Sequence, residues 1–233
     1  MRDLFIFDGN NSADYNVWAF QKRKRSTPVR SVESVTIAGR HGSLEMDNNR
    51  YENVSVLYDC IIPTDAIENI NGFFDKYLSV KGYKRLEDSF DSEEFRLAHY
   101  VGGTEKTVLD EMAKFEMEFE CLPQRFLKSG EKTFTAQKST VYRNPTSQEA
   151  KPIIRVRGNG SLTVYTNGSL QTTITITNNP SYIDIDCDLL DAHYGAVNCN
   201  NRMSGSFPVL KGDTTFNWAG LTSVEVTPRW FRL

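Results

Sequence analysis

Four carboxylates crowd one short stretch of the chain, Asp184, Asp186, Asp188 and Asp191, and clustered oxygens are what a hard divalent cation needs. Alternation sets the first three on one strand face, opposite Ile183, Ile185 and Cys187. The loop glycine and ligand spacing of an EF-hand are missing, so the pattern reads as a half-buried strand and no metal site is assigned. The three histidines, His41, His99 and His193, never stand in a zinc-holding pair. Gly102-Gly-Thr-Glu-Lys-Thr107 lacks the spacing of a phosphate loop and is read as a hairpin turn. No G-x-S-x-G occurs, and neither a cysteine nor a serine has an identifiable histidine partner. Glu116 and Glu118 share a strand face, where carboxylates ordinarily meet solvent, and nothing singles them out as a glycosidase pair. The expectation is a protein with no catalytic residue, cofactor or metal, and not an enzyme.

Composition agrees with a folded chain. It has 233 residues, 39% of them hydrophobic and 24% charged, far from the disordered class. No stretch approaches the apolar length of a membrane span, and Leu4 to Phe7 is cut short by Asp8, so neither a membrane segment nor a signal peptide is expected. Synthesis and folding in the cytoplasm follow. Cys60, Cys121, Cys187 and Cys199 are far apart and are read as reduced core or strand residues. Of 27 basic residues 17 fall in residues 1–130, and of 30 acidic residues 22 do, which makes the first half net −5 and the second net +2. That balance disfavours general nucleic-acid binding by the first half. The one basic exception, Lys22, Arg23, Lys24 and Arg25, is read first as a solvated loop or edge-strand guard.

The elements that must position these residues are mostly strands. Phe115, Met117, Phe119 and Cys121 alternate with Lys114, Glu116, Glu118 and Glu120, one face buried and one wet, until Pro123 removes a backbone donor. Before this seam the expected strands are Leu4–Phe7, Val17–Phe20, Val29–Ile37, a long Tyr51–Ile62, and a pair at Tyr83–Leu86 and Phe95–Tyr100. One helix starts at Pro63-Thr64-Asp65, with Thr64 as its cap. It presents Ile67, Ile70, Phe74, Tyr77 and Leu78 to a core and stops at Gly82. After the seam come short strands: Pro152–Arg157, Leu162–Tyr165, Thr172–Thr177, Tyr182–Cys187, Phe207–Leu210, Thr214–Trp218 and Leu221–Thr227. Gly158-Asn-Gly160, Asn167-Gly168 and Asn178-Asn-Pro180 serve as turns. The fold class expected is mainly β: an α+β domain of antiparallel sheets and one helix over residues 1–130, then a β-sandwich over residues 131–233.

Several strings together resemble a known family. Val35-Thr-Ile-Ala-Gly-Arg-His-Gly-Ser-Leu44, Tyr51-Glu-Asn-Val54, Gly82-Tyr-Lys-Arg-Leu86 and Phe119-Glu-Cys-Leu-Pro-Gln-Arg-Phe126 resemble the amino-terminal domain of distal tail (Dit) proteins. These are baseplate hub proteins of siphophages and prophages. Met203-Ser-Gly-Ser-Phe-Pro-Val-Leu210, Gly212, Asn217-Trp218 and Val226-Thr-Pro-Arg-Trp230 resemble the family's second domain, in the same order. The resemblance implies a ring-forming belt domain followed by a galectin-like β-sandwich. It implies a homohexameric ring in the virion tail tip, joining the tail-tube protein to tail-tip or tail-associated proteins, with a receptor-binding protein as a further neighbour. DNA would pass through the central channel without specific binding, and no membrane is involved.

Residues 131–233 leave little room for the receptor-binding insertion that longer members carry. A lumen that lets a polyanion slide should present few cations, so Lys22, Arg23, Lys24 and Arg25 are expected to face a neighbouring subunit or the outer surface. The alternative is a carbohydrate-binding module that recognises the host surface through its sandwich. Tyr165, Trp218 and Trp230 are then the sugar-stacking candidates, with Tyr182 and Tyr194 beside them, against the plainer expectation that both tryptophans pack inside.

Overall fold

The computed structural model describes residues 3–22, 27–102, 105–109 and 111–233. The chain is mainly β and divides into two compact units, one running to Arg125 and including Leu233, the other Phe126–Arg232.

In the first unit the strands are β1 (Phe5–Phe7), β2 (Trp18–Lys22), β3 (Arg30–Thr36), β4 (Ser43–Tyr51), β5 (Val54–Pro63), β6 (Lys84–Asp88), β7 (Glu94–Tyr100), β8 (Lys106–Val108) and β9 (Met112–Cys121), with helix α1 at Asn69–Leu78. The main sheet runs Asn10–Asn11, β1, β6, β7, β9, β5, β2, with β8 also on β9. Its spine is the antiparallel pairing of β5 with β9, from Met112 opposite Pro63 to Cys121 opposite Val54. Because side chains alternate across a strand, one face of this pair carries Val56, Tyr58, Cys60, Ile62, Phe115, Met117 and Phe119, all buried. The other carries Ser55, Leu57, Asp59, Glu116, Glu118 and Glu120.

An aromatic cluster fills the buried face. Phe119 lies 5.2–5.9 Å from the rings of Phe5, Phe7, Tyr58 and Tyr100, mostly edge-on, an arrangement that adds about 0.5–1.5 kcal/mol per pair beyond area burial. Helix α1 closes the core with Ile70, Phe73 and Tyr77. The two core tyrosines are satisfied at their polar ends: the Tyr77 hydroxyl from α1 donates to Asn10 O at 2.9 Å, and the Tyr58 hydroxyl from β5 donates to Asp88 at 2.6 Å. The helix differs from expectation at its start and in its phase. Thr64–Ala66 forms a 3-10 turn and α1 begins only at Asn69. The buried stripe runs 70, 73, 77, so Phe73 points inward and Leu78 is exposed. A second departure is the stretch expected as one long strand: β4 ends at Tyr51 and pairs with β3, while β5 starts afresh at Val54.

The second unit contains β10 (Val141–Arg143), β11 (Ile153–Thr166), β12 (Ser169–Ile176), β13 (Ile183–Asp186), β14 (Asp191–Tyr194) and β15 (Asp213–Thr227). β15, β11, β13 and β14 lie side by side, β10 pairs with β15, and β12 pairs with the distal half of β11. β11 thus has β13 on its first half and β12 on its second, and the sheet curls over a core of Ile154, Val156, Leu162, Val164, Ile174, Ile183, Ile185, Phe216, Val224 and Val226. Asn167-Gly168 makes the expected tight hairpin, with φ of 50° and 80°. Gly158-Asn-Gly160 is not a turn, and Ala219-Gly220 does not separate two strands. β11 and β15 run through these points as continuous strands with register shifts at Gly158. The glycines serve close backbone approach: at Gly160, φ 155°, a Cβ would strike the Ala219 carbonyl, and at Gly220 it would strike the Asn159 carbonyl. Phe207–Leu210, expected as a strand, contributes only a bridge between Ala150 and Leu210.

Two substitutions test these assignments. Phe119→Ala is expected to destabilise the first unit by about 3–5 kcal/mol, read as a lowered urea midpoint. Gly160→Ala is expected to lower the thermal midpoint more than Gly168→Ala. Gly168 has φ 80° but open space around it, so only the left-handed backbone cost of about 1–2 kcal/mol applies there.

Candidate functional site

Strands β3 and β4 form a hairpin that pairs with no other strand among the described residues. Every residue of the two strands is exposed except Ser31, which is half-buried. The register places Val35 opposite Leu44 and Glu33 opposite Met46, so these side chains share a face with Ile37 just beyond the strand. Val35, Ile37, Leu44 and Met46 are each 42–54% exposed. The opposite face is more polar: Ser34 meets Glu45, Thr36 meets Ser43, and Arg30 forms an ion pair with Asp47, although Val32 and Tyr51 also lie there, partly exposed. Hydrogen bonds from Arg30 and from the Asn49 backbone hold the Asp47 carboxyl below its ordinary value. A two-stranded hairpin is marginal alone in water, and an apolar face adds no stability until something covers it. The turn is built on Gly39 and Gly42, with φ of 82° and 78°, and carries Arg40 and His41 at its tip. Arg50 pairs with Glu52 at 3.4 Å, whereas Arg40 makes no ion pair among the described residues.

The wet face of the β5–β9 pair forms a groove of about 510 Å³. Phe20 and Leu57 supply apolar walls, and Asp59, Glu105, Glu116 and Glu118 supply carboxylates, with Lys114 the basic side chain among its lining residues. Parity explains the composition: Asp59 stands opposite Glu116, and Leu57 opposite Glu118. Ser55 donates its hydroxyl to Glu118. Val101, Val108 and Leu109, on the segment that brings Gly102, Glu105 and Thr107 to the groove, are 45–60% exposed.

In the second unit the aspartates of the 184–191 stretch are each taken up by a side chain. Arg155 donates to both oxygens of Asp184 at 2.7 and 2.8 Å, and Arg229 to both of Asp186 at 2.7 and 2.9 Å. Lys151 reaches Asp188 at 3.0 Å, and Asn198 and Asn200 donate to Asp191. Among the described residues no group of three His, Cys, Asp or Glu side chains is arranged to hold a metal. Burial disfavours the Asp186 anion, but Arg229 and the Leu189 and Asp188 backbone N–H groups outweigh it and hold the carboxyl below its ordinary value. The four cysteines are free thiols and all buried, and burial pushes Cys187 up to about 12.

The residues singled out for sugar stacking are not brought together. Trp230 is 7% exposed within the second core. Trp218 stands opposite inward-facing Leu162, half-buried, with the Lys138 ammonium 5.3 Å from its ring centroid. Tyr165 has the opposite parity and pairs with Thr215 on the other face. Tyr182 and Tyr194 do meet, 4.8 Å apart, but the Arg155 guanidinium sits 4.3 Å from the Tyr182 ring centroid. Of the basic run, Arg23, Lys24 and Arg25 lie outside the described residues, as does the Lys22 side chain.

The acid limb of stability reports on the Asp186–Arg229 pair. Its folded carboxyl titrates below the unfolded value of about 3.9. The pair's contribution is therefore complete above that pH and is lost as pH falls through the folded value. Asp186→Asn is expected to cost about 3–5 kcal/mol at neutral pH, because it leaves Arg229 facing no charge. It should also flatten the stability profile below about pH 4, and an unchanged acid limb in chemical denaturation series would reject this assignment.

No protein-family model matches this sequence, and no curated protein matches it. In three dimensions the whole chain matches the whole of the Dit (gp 19.1) protein of phage SPP1, with a TM-score of 0.78 at 13% sequence identity. That protein is described as a paradigm of the hub of the adsorption apparatus in phages infecting Gram-positive bacteria. The likeness is one of fold, covering 100% of both chains.

Proposed function

We propose that this chain is a distal tail protein, the structural hub of a siphophage or prophage tail tip. The match of fold along the full length of both chains carries the reading. In this role six copies form a ring through their first units. The ring joins the tail tube to the tail-tip and host-adsorption proteins, and DNA leaves through its centre. The second unit faces outward as a galectin-like attachment domain. The protein acts by assembly and not by catalysis.

Two physical features support the assignment. A ring needs a heterologous contact, in which a projection on one subunit meets a different surface on the next. The β3–β4 hairpin, with apolar side chains on one face and no other strand paired to it among the described residues, is a projection of that kind. Residues 1–130 also carry a net charge of −5, which suits a conduit that must not retain a polyanion by phosphate contacts. On this reading Lys22, Arg23, Lys24 and Arg25 lie away from the lumen, against a neighbour or the outer surface.

Negative-stain images of the purified protein are expected to show six-fold rings with a central hole. A strictly monomeric mass at the highest attainable concentration, and in the presence of tail-tube protein, would contradict the hub assignment.

A further inference from the structure

One outer face of the second unit's sheet carries open hydroxyls and no charge. β10, β15, β11 and β12 lie side by side there. Leu162, Val164, Ile174 and Phe216 take one parity into the core, so the residues between them point outward. Three rows result. Val141, Thr215, Tyr165 and Leu170 stand opposite one another in the first, Asn217, Thr163 and Thr173 in the second, and Ala219, Ser161 and Thr175 in the third. Val141 and Leu170, in the same row as Tyr165, are 59% and 62% exposed. The hydroxyls of Ser161, Thr163, Tyr165, Thr173, Thr175 and Thr215 make no hydrogen bond among the described residues. The Asn217 carbonyl oxygen accepts from the Ser139 hydroxyl at 3.0 Å, which leaves its amide NH2 group to donate. No charged side chain stands in the three rows, and the Arg143–Asp213 ion pair closes one end of the face.

We infer that this face binds a neutral oligosaccharide, with one sugar ring laid against Tyr165, Val141 and Leu170 and its hydroxyls bonded to Thr163, Thr173 and Asn217. A pyranose has C–H groups on its faces and hydroxyls around its edge. An aromatic ring beside a field of groups that both donate and accept is its complement. A charged ligand would meet no counter-charge in the rows and would lose hydration without return. Size decides against a protein partner. Four strands about 4.8 Å apart and three rows about 6.7 Å apart span roughly 200 Å², against about 800 Å² per partner in a standard protein interface. Leu, Ser, Thr and Val are also poor anchors for protein interfaces. An open face without walls holds a single sugar chain weakly, and several copies in one assembly strengthen the hold through effective concentration. The binding belongs to the second unit of each chain and goes beyond the hub reading, on which only that strengthening depends.

Neutral oligosaccharides of glucose, galactose and N-acetylhexosamines, arrayed beside sialylated, sulfated and phosphorylated ones, serve as probes for the full chain. Retention of neutral probes is expected, unchanged between about 0.05 and 0.5 M NaCl because no ion pair forms. Titration of the best-retained neutral probe then compares variants. Tyr165→Ala is expected to weaken binding by at least about tenfold. Thr163→Val with Thr173→Val keeps the side-chain shape, removes two hydroxyls, and is expected to weaken it by about tenfold. Tyr194→Ala, outside the three rows, is expected to leave it unchanged. If Tyr165→Ala fails to fold, the valine pair decides. No neutral probe retained at millimolar concentration overturns the assignment, as does a salt-sensitive preference for charged probes. Equal binding by wild type and both variants overturns it too. Tyr165→Ala that changes the oligomeric mass, in a chain that binds no sugar, makes the face a protein contact and likewise overturns it. Six-fold rings in negative stain are read separately, so loss of sugar binding leaves the hub reading standing.

Discussion

The antiparallel ladder between Val54–Pro63 and Met112–Cys121 is the constraint from which most of the first unit follows. Two ten-residue strands in fixed register impose a two-residue period on both sides at once. Large apolar residues at one parity create a face that must be covered, and helix α1 with β1 covers it through Phe5, Phe7, Phe73 and Tyr77. The same register places Asp59, Glu116 and Glu118 together on the other face. The acidic groove is therefore not a separate invention. It is the reverse side of the aromatic core, and a one-residue slip would exchange the two.

The second unit solves a different problem. Its two longest strands, Ile153–Thr166 and Asp213–Thr227, must stay paired while the sheet curls over its core. Glycines let the two backbones approach at the bend, and arginines neutralise the acids that the strands expose. Arg229 holds Asp186 while its own backbone sits at φ 58° and its N–H donates to Gly130 O at 2.8 Å. A buried pair of this kind is costly to break from one side. It pins a turn, and each aspartate of the 184–191 stretch is met by a basic or amide side chain.

Much of this architecture was legible in the sequence, and the failures have physical causes. The alternation of Phe115, Met117 and Phe119 with Glu116 and Glu118 identified both faces of β9, and Asn167-Gly168 identified its hairpin. The helix was legible in type but not in phase, because Phe73 and Phe74 are adjacent aromatics and only packing decides which one turns inward. Gly158 and Gly160 look like a turn in sequence, since φ/ψ freedom and close approach call for the same residue. The hairpin was half visible: Val29–Ile37 alternates clearly, but Ser43–Tyr51 is rich in Asn, Asp and Arg and gives almost no apolar signal. Its role was hidden as well, because exposure of Val35, Ile37, Leu44 and Met46 is a property of the folded chain. The sugar-stacking candidates show the same limit, since parity separates Tyr165 from Trp218 only once the register of β11 with β15 is known.

Central to this account is that the β3–β4 hairpin is uncovered in the isolated chain and covered in the assembly. Amide hydrogen exchange over residues 30–51 measures that directly. Dilute protein should exchange rapidly through the hairpin, and assembled protein should show strong protection there, concentrated in Arg30–Thr36 and Ser43–Tyr51. Hairpin amides that exchange equally fast in both states, while assembly proceeds, would contradict the account.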